Sequence, residues 1–191
     1  MDKQLILGSN SPRRKELLEL AGFSFSNRKN SFDESTITET LPEVLVKELA
    51  RQKGMAMDVQ ENEVLLTADT VVSANNTVLG KPSTEEEAFA MLAMLSGGTH
   101  QVYTAVMLRD IERHEVFVSR TEVEFWPLSE PEIHAYVATG DSFDKAGAYG
   151  IQSKGALLVK GIKGDYYTVM GLPLSMTVRE LAKFQIAPTL L

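Results

Sequence analysis

The sequence predicts an α/β fold: a mixed, twisted sheet with flanking helices, in one domain spanning residues 1–191. Helix-type and strand-type segments alternate through the first half of the chain. Two long β-rich runs then follow one another in the middle, as in an antiparallel meander, which argues against a purely parallel doubly wound sheet. No repeat, low-complexity tract or Pro/Ser-rich linker divides the chain. A protein of this length buries roughly 70% of its unfolded surface, so it needs no metal staple.

The elements follow in order. Residues 4–8 form a short β-type run, and Ser11-Pro12 then opens a helix with a good N-cap and a good first residue. That helix runs to about Ala21, with Leu17, Leu18 and Ala21 as its apolar stripe and Gly22 as its C′ residue. Thr40-Leu41-Pro42-Glu43 reads as a capping box for a second helix reaching about Met57. Residues 64–72 form a strand, Asn75-Asn76 turns the chain, and residues 77–79 pair back as a hairpin. Ser83-Thr84-Glu85-Glu86 is a second capping box, for a helix ending near Ser96-Gly97-Gly98. The β-rich runs are 100–109 and 115–126, joined by a polar turn. Ser129 and Glu132 cap a short helix ending near Gly140. Residues 156–160 and 166–170 read as a hairpin around Lys163-Gly164-Asp165. Gly171-Leu172-Pro173 leads into a last helix with Leu174, Val178, Leu181 and Ala182 on one face.

Composition excludes several classes of function. With no cysteine there is no disulfide, no thiolate nucleophile and no Cys-ligated zinc. The net charge of −7 opposes nucleic-acid binding, which needs a basic field. Apolar runs such as Val64-Leu65-Leu66 are too short to span a bilayer, and Met1-Asp2-Lys3-Gln4 is too little for a signal peptide. The expected location is the cytoplasm, with neither membrane nor nucleic acid as a partner. An acidic protein still binds a polyanion when its few cations gather in one cleft.

Several residues break local rules. Arg13, Arg14 and Lys15 sit in the first turn of the first helix, where cations oppose the helix dipole. A bound anion there is favoured over three merely solvated cations, since backbone N–H groups and guanidinium forks would converge on it. The Gly-rich spacing and Gly-Lys-Ser/Thr end of a Walker loop are absent. Asp69 lies inside a strand, where aspartate is disfavoured: it is retained for chemistry, or it caps backbone N–H groups at a turn or bulge. Lys53 interrupts the apolar stripe of the second helix, as a functional lysine or as one that snorkels to water. Lys81, in Gly80-Lys81-Pro82, is presented by a rigid loop. The run Asp144-Lys145-Ala146-Gly147-Ala148-Tyr149-Gly150-Ile151-Gln152 has small residues that allow close approach of a ligand, or form a tight loop around a salt bridge. Asp33-Glu34 can help hold Mg²⁺ with substrate phosphates, or stand solvated in a loop. His100, His114 and His134, in strand, turn and helix contexts, lack metal spacing and read as structural.

Together these segments resemble the Maf family of nucleoside triphosphate pyrophosphatases. The matches are Ser9-Asn10-Ser11-Pro12-Arg13-Arg14, Ala68-Asp69-Thr70, Gly80-Lys81-Pro82, the Asp144 to Gln152 run and Gly171-Leu172-Pro173, in family order from residue 9 to 173. The resemblance implies two lobes around a cleft, similar to the inosine triphosphate pyrophosphatase fold, and hydrolysis between the α- and β-phosphates. It implies Asp69 as the catalytic base, with Arg14, Glu34, Lys53 and Lys81 lining the phosphate site; Ser9 is a further phosphate-binding candidate. Glu34 and Asp69 are the candidate ligands of a divalent cation, Mg²⁺ or Mn²⁺. Arg13, Thr70 and Gln152 match the selectivity positions of the dTTP/UTP branch, with Thr70 and Gln152 expected to hydrogen-bond the carbonyl and imide edge of a pyrimidine. Asp144 and Lys145 are supporting residues, and the implied assembly is a homodimer. Asn10 departs from the family pattern at a variable position. The rival readings are a nucleotide-binding regulator of cell division without turnover, and a pyrophosphatase of other base preference.

Overall fold

The computed structural model describes residues 3–75 and 77–189. Met1, Asp2 and the Asn76 half of the expected Asn75-Asn76 turn lie outside them. The strands are β1 (Gln4–Leu7), β2 (Phe25–Asn27), β3 (Glu63–Ala74), β4 (Thr77–Leu79), β5 (Thr99–Arg109), β6 (His114–Phe125) and β7 (Val159–Lys163). The helices are α1 (Pro12–Leu20), α2 (Pro42–Met55), α3 (Glu85–Leu95), α4 (Glu130–Val137), α5 (Tyr166–Met170) and α6 (Leu174–Lys183). They form one mixed sheet of order β2-β1-β3-β5-β6-β7, with β4 added to the far end of β3. β1 is parallel to β2 and β3, and the β3-β5-β6-β7 half is antiparallel throughout.

One detail of register creates the cleft. β1 pairs with β3 only as far as Leu7↔Leu66, and β4 takes up the same edge again only at Val72↔Leu79. Between them residues 67–71 of β3 keep β5 on one side and carry no strand on the other. The sheet is slotted there, and side chains from both faces of β3 reach the slot.

Two cores flank it, and they define two lobes. Leu17 and Leu18 of α1 with Leu174 and Leu181 of α6 pack on Leu5, Leu7, Leu66 and Ala68. Leu92 and Leu95 of α3 with Ile133 and Tyr136 of α4 pack on Val72, Leu79, Val102 and Phe125. On the opposite face of the sheet, Val46, Leu49 and Ala50 of α2 cover Val71 and Ala105. Each fully buried leucine contributes about 1.5–3 kcal/mol, so each lobe has a substantial core of its own.

Local expectations hold where caps decide and fail where caps compete. Residues 166–170 are helix, not strand: Asp165 caps them by accepting from the Tyr167 N–H at 3.1 Å, and Gly171 ends them at φ 109°. Those caps outweigh the strand propensity of Tyr and Val. β7 starts at Val159 and pairs with β6, so the expected hairpin does not exist. At α2 the side chain of Glu39 captures the N–H groups of Thr40 and Leu41 at 2.7 and 2.8 Å, and the N-cap is Leu41. The α3 box is shifted by one residue: Thr84 accepts from the Glu87 N–H and Glu87 from the Ser83 N–H. The α4 box forms as expected, Glu132 accepting from the Ser129 N–H at 2.7 Å. His114 opens β6 rather than lying in the turn, and the short β2 escapes the sequence pattern. In α6 Ala182 is exposed and Thr177 takes its buried place.

Candidate active site

The slot opens into a cavity of about 310 Å³. Ser9, Arg13, Arg14, Glu34, Lys53, Asp69, Thr70, Lys81, Asp144, Lys145 and Gln152 all line it. These candidates and the cations among them therefore come to one place, whereas Lys15 and Asp33, grouped with them in the sequence, do not line the cavity; Lys15 lies exposed beside Glu19.

On the α1 side the centre is Arg14, an arginine with only 9% of its surface exposed. Its Nε donates to the Gly171 carbonyl at 2.8 Å, and its two terminal nitrogens donate to Ser9 Oγ at 3.3 Å and Thr70 Oγ1 at 3.2 Å. Burial lowers its pKa and the nearby Asp69 carboxylate opposes that shift. Five N–H donors with three protein acceptors leave two for a ligand. Ser9 Oγ also accepts from the Ser11 N–H at 3.1 Å, so its own proton is left to donate to an anion. Ser11 makes no side-chain cap, so the start of α1 is held by Ser9 instead.

The proton count at Thr70 is tighter. Thr104 Oγ1 donates to the Thr168 carbonyl at 2.7 Å, so in its 2.9 Å bond with Thr70 it can only accept. Thr70 spends its one proton there and already accepts from Arg14. One lone pair remains: Thr70 can accept an imide N–H, but it has no proton for a carbonyl oxygen.

The α2 side is ionic. Lys53 Nζ lies 3.1 Å from Asp69 Oδ1 and 2.7 Å from Glu34 Oε1, with Lys53 and Asp69 largely buried and Glu34 half exposed. The odd residues of β3 face α2: Thr67 donates to the Ala50 carbonyl at 2.8 Å, and Val71 packs on the same helix. Asp69 is thus an ordinary strand residue whose side chain emerges at the slot, and the turn or bulge reading fails. Lys53 reaches inward to Asp69 rather than snorkelling to water. Asn30, which the sequence did not single out, donates to the Lys53 carbonyl at 2.9 Å and accepts from the Phe32 N–H at 3.0 Å. It thereby folds the loop that brings in Glu34.

At the mouth, the Gly80 carbonyl accepts from the Gly147 N–H at 3.0 Å, which ties the exposed Lys81 loop to the Asp144 to Gln152 run. Arg13 reaches across from α1 to Asp144 at 2.9 Å. Burial alone would raise the Asp144 pKa, but hydrogen bonds from Lys145 and Arg13 outweigh it and hold the carboxyl at about 2. Behind this wall His100 Nε2 lies 2.8 Å from Tyr149 Oη, and burial drops the His100 pKa to about 4. His100 is packed edge-on against Phe125 and Tyr149. His134 stacks on Phe89 in the second lobe.

The fold is thus that of a two-lobed α/β protein whose slotted sheet presents a carboxylate among cations at one cleft. More narrowly, the chain belongs to the Maf family: the family described as Maf-like protein matches residues 4–184. It is 48% identical over 188 residues to a dTTP/UTP pyrophosphatase of Bacillus cereus (strain ATCC 10987 / NRS 248), covering 98% of this chain and 93% of that one. It is 52% identical over 182 residues to a dTTP/UTP pyrophosphatase of Halalkalibacterium halodurans, covering 94% and 95%. Among solved structures it resembles a HAM1 protein from Coxiella burnetii, with TM-score 0.51, 15% identity and coverage of 95% and 99%. That last likeness bears on the fold alone.

Proposed function

We propose that this protein hydrolyses dTTP and UTP to the monophosphate and pyrophosphate. The observation that carries the reading is the meeting of Asp69, Arg14, Lys53 and Lys81 in one cavity. Relatives near 50% identity bear the name of that activity. Arg14, Lys53 and Lys81 neutralise the triphosphate, and Ser9 donates to a phosphate oxygen. Asp69 takes a proton from water as its oxygen bonds to the α-phosphorus, and the bridging oxygen departs in line with pyrophosphate. Lys53 keeps the Asp69 carboxylate aimed before substrate arrives.

Among the described residues no group of three or more His, Asp or Glu side chains is placed to hold a metal. Glu34 and Asp69, both at Lys53 Nζ, fit a hard cation that takes its remaining ligands from phosphates and water. When bound there, Mg²⁺ or Mn²⁺ would supply further neutralisation of the phosphate oxygens. Thr70 as acceptor and the Gln152 amide as donor complement the N–H and carbonyl of a thymine or uracil edge. A cytoplasmic house-cleaning role and a homodimer belong to the same proposal. No helix among the described residues is long and apolar enough to cross a membrane.

The test is a panel of nucleoside triphosphates with Mg²⁺ or Mn²⁺, assayed separately for pyrophosphate and orthophosphate. Pyrophosphate and monophosphate from dTTP and UTP are expected. Orthophosphate alone would contradict the reading.

A further inference from the structure

The cleft mouth carries a hydrogen-bonded chain that reaches from the core of one lobe to the first turn of α1 in the other. We propose that Tyr136 and Asp141 are positioning residues, which act through Lys145 and Asp144 to set Arg13 across the mouth and so strengthen nucleotide binding. The inference rests on the nucleotide reading above.

The chain begins in a rigid place. Tyr136 is packed in the α3–α4 core with 5% of its surface exposed. Its hydroxyl accepts from the Gly150 N–H at 3.2 Å, which can only donate, and gives its proton to Asp141 Oδ2 at 2.9 Å. Burial raises the Tyr136 pKa, which keeps that proton in place.

Lys145 comes next, and its proton count decides its role. Nζ has three protons and three acceptors from its own loop: the Asp141 carbonyl at 2.7 Å, Asp141 Oδ1 at 2.9 Å and Asp144 Oδ1 at 2.6 Å. Lys145 lines the cavity but has no proton left for a phosphate, so it is a cross-tie. Its stem lies over Gly150, where an added Cβ would come within 2.6 Å of its Cε. A side chain at 150 would oblige the Lys145 stem to shift.

Asp144 ends the chain. One oxygen is held by Lys145 and the other accepts from Arg13 NH1 at 2.9 Å. An isolated exposed ion pair contributes little, because two mobile side chains must be ordered to form it. Here the ordering is supplied from behind by a buried phenol, and the Arg13 guanidinium is left with its other N–H groups beside the cavity. The two cations and two carboxylates balance, so the chain changes where Arg13 sits and not the net charge of the mouth.

The test is a double-mutant cycle on pyrophosphate release from dTTP, with Tyr136→Phe, Arg13→Ala and the pair. Tyr136→Phe keeps the ring in the core and removes one hydroxyl. It is expected to raise KM about 3–10-fold with kcat within about two-fold, as the loss of one such hydrogen bond allows. In the Arg13→Ala background the same substitution is expected to change KM by less than about two-fold. Equal effects in both backgrounds, or a fall in kcat at unchanged KM, would overturn the inference. Asp141→Ala, at a half-buried loop position, runs the same cycle should Tyr136→Phe fold poorly by its melting temperature. An inactive wild type would remove the nucleotide reading and this inference together, whereas an active wild type with additive variants removes only the inference.

Discussion

The two faces of β3 do different things at the same slot. On the odd face Asp69 meets Lys53 and, through it, Glu34: charged, partly wet and able to exchange partners. On the even face Thr70 is locked between Arg14 and Thr104, with its proton spent and one lone pair occupied. Both side chains come from adjacent residues of a strand with period two, and both reach one cavity because the sheet is open between Leu66 and Val72. A single strand thus carries reactive and rigid parts of a site side by side. Substitutions on the odd face should cost rate, and those on the even face stability.

The largest effect expected is on the odd face. Asp69→Asn should lower kcat by about 10²–10⁴-fold, with nucleotide binding and unfolding midpoint close to wild type, read by steady-state kinetics and a urea titration. Near-normal turnover would remove the base role. On the even face, Gly171→Ala forces a side chain to φ 109° and brings a Cβ to 3.4 Å from Thr70 Oγ1. It should destabilise by about 1–3 kcal/mol in the same titration and disturb the carbonyl that holds Arg14. Thr70→Val leaves Arg14 and Thr104 each short of a partner and should cost about 1–2 kcal/mol, with kcat reduced far less than in Asp69→Asn. If Thr70→Val instead abolished turnover at full stability, the division between the faces would be wrong.

The smallest effect lies at the rim. Asp144 has its carboxyl held at about 2, below the ordinary 3.8. A depressed pKa contributes stability that is present above the unfolded value and lost as pH falls toward the folded one. The stability difference between wild type and Asp144→Asn should therefore be constant above about pH 5 and shrink between about pH 4 and 2. Its size should stay below about 1 kcal/mol, because the side chain is 59% exposed and solvent-screened. Denaturant midpoints across that range read it, and a difference that grew with acid would have the wrong sign.

Much of this is legible in the sequence, for identifiable reasons. Arg14 and Asp69 stand out because each violates a local rule, a cation at a helix start and a carboxylate in a strand, and such violations gather at sites. The α4 capping box is legible because short-range hydrogen bonds decide it, whereas at α1 the boundary is legible from Pro12 but the expected Ser11 side-chain cap does not form. Residues 166–170 mislead because aromatic and β-branched residues favour strand while Asp165 and Gly171, which win, act from outside the run. Asn30, Tyr136 and Asp141 carry no signal at all. They bond to partners 14 to 23 residues away or through a loop whose path no local pattern fixes. The direction of the Thr70 hydroxyl likewise depends on Thr104 and Thr168, which only the folded sheet brings together.

Side chains from Ser9 to Gln152 are expected to close on a single polyphosphate, with Asp69 beside its α-phosphorus. A crystal structure of Asp69→Asn with intact dTTP tests it most directly. The triphosphate is expected in the slot between Arg14, Lys53 and Lys81, with the substituted side chain within one water of the α-phosphate. A triphosphate bound elsewhere, or one seated with its γ-phosphate at that side chain, would contradict it.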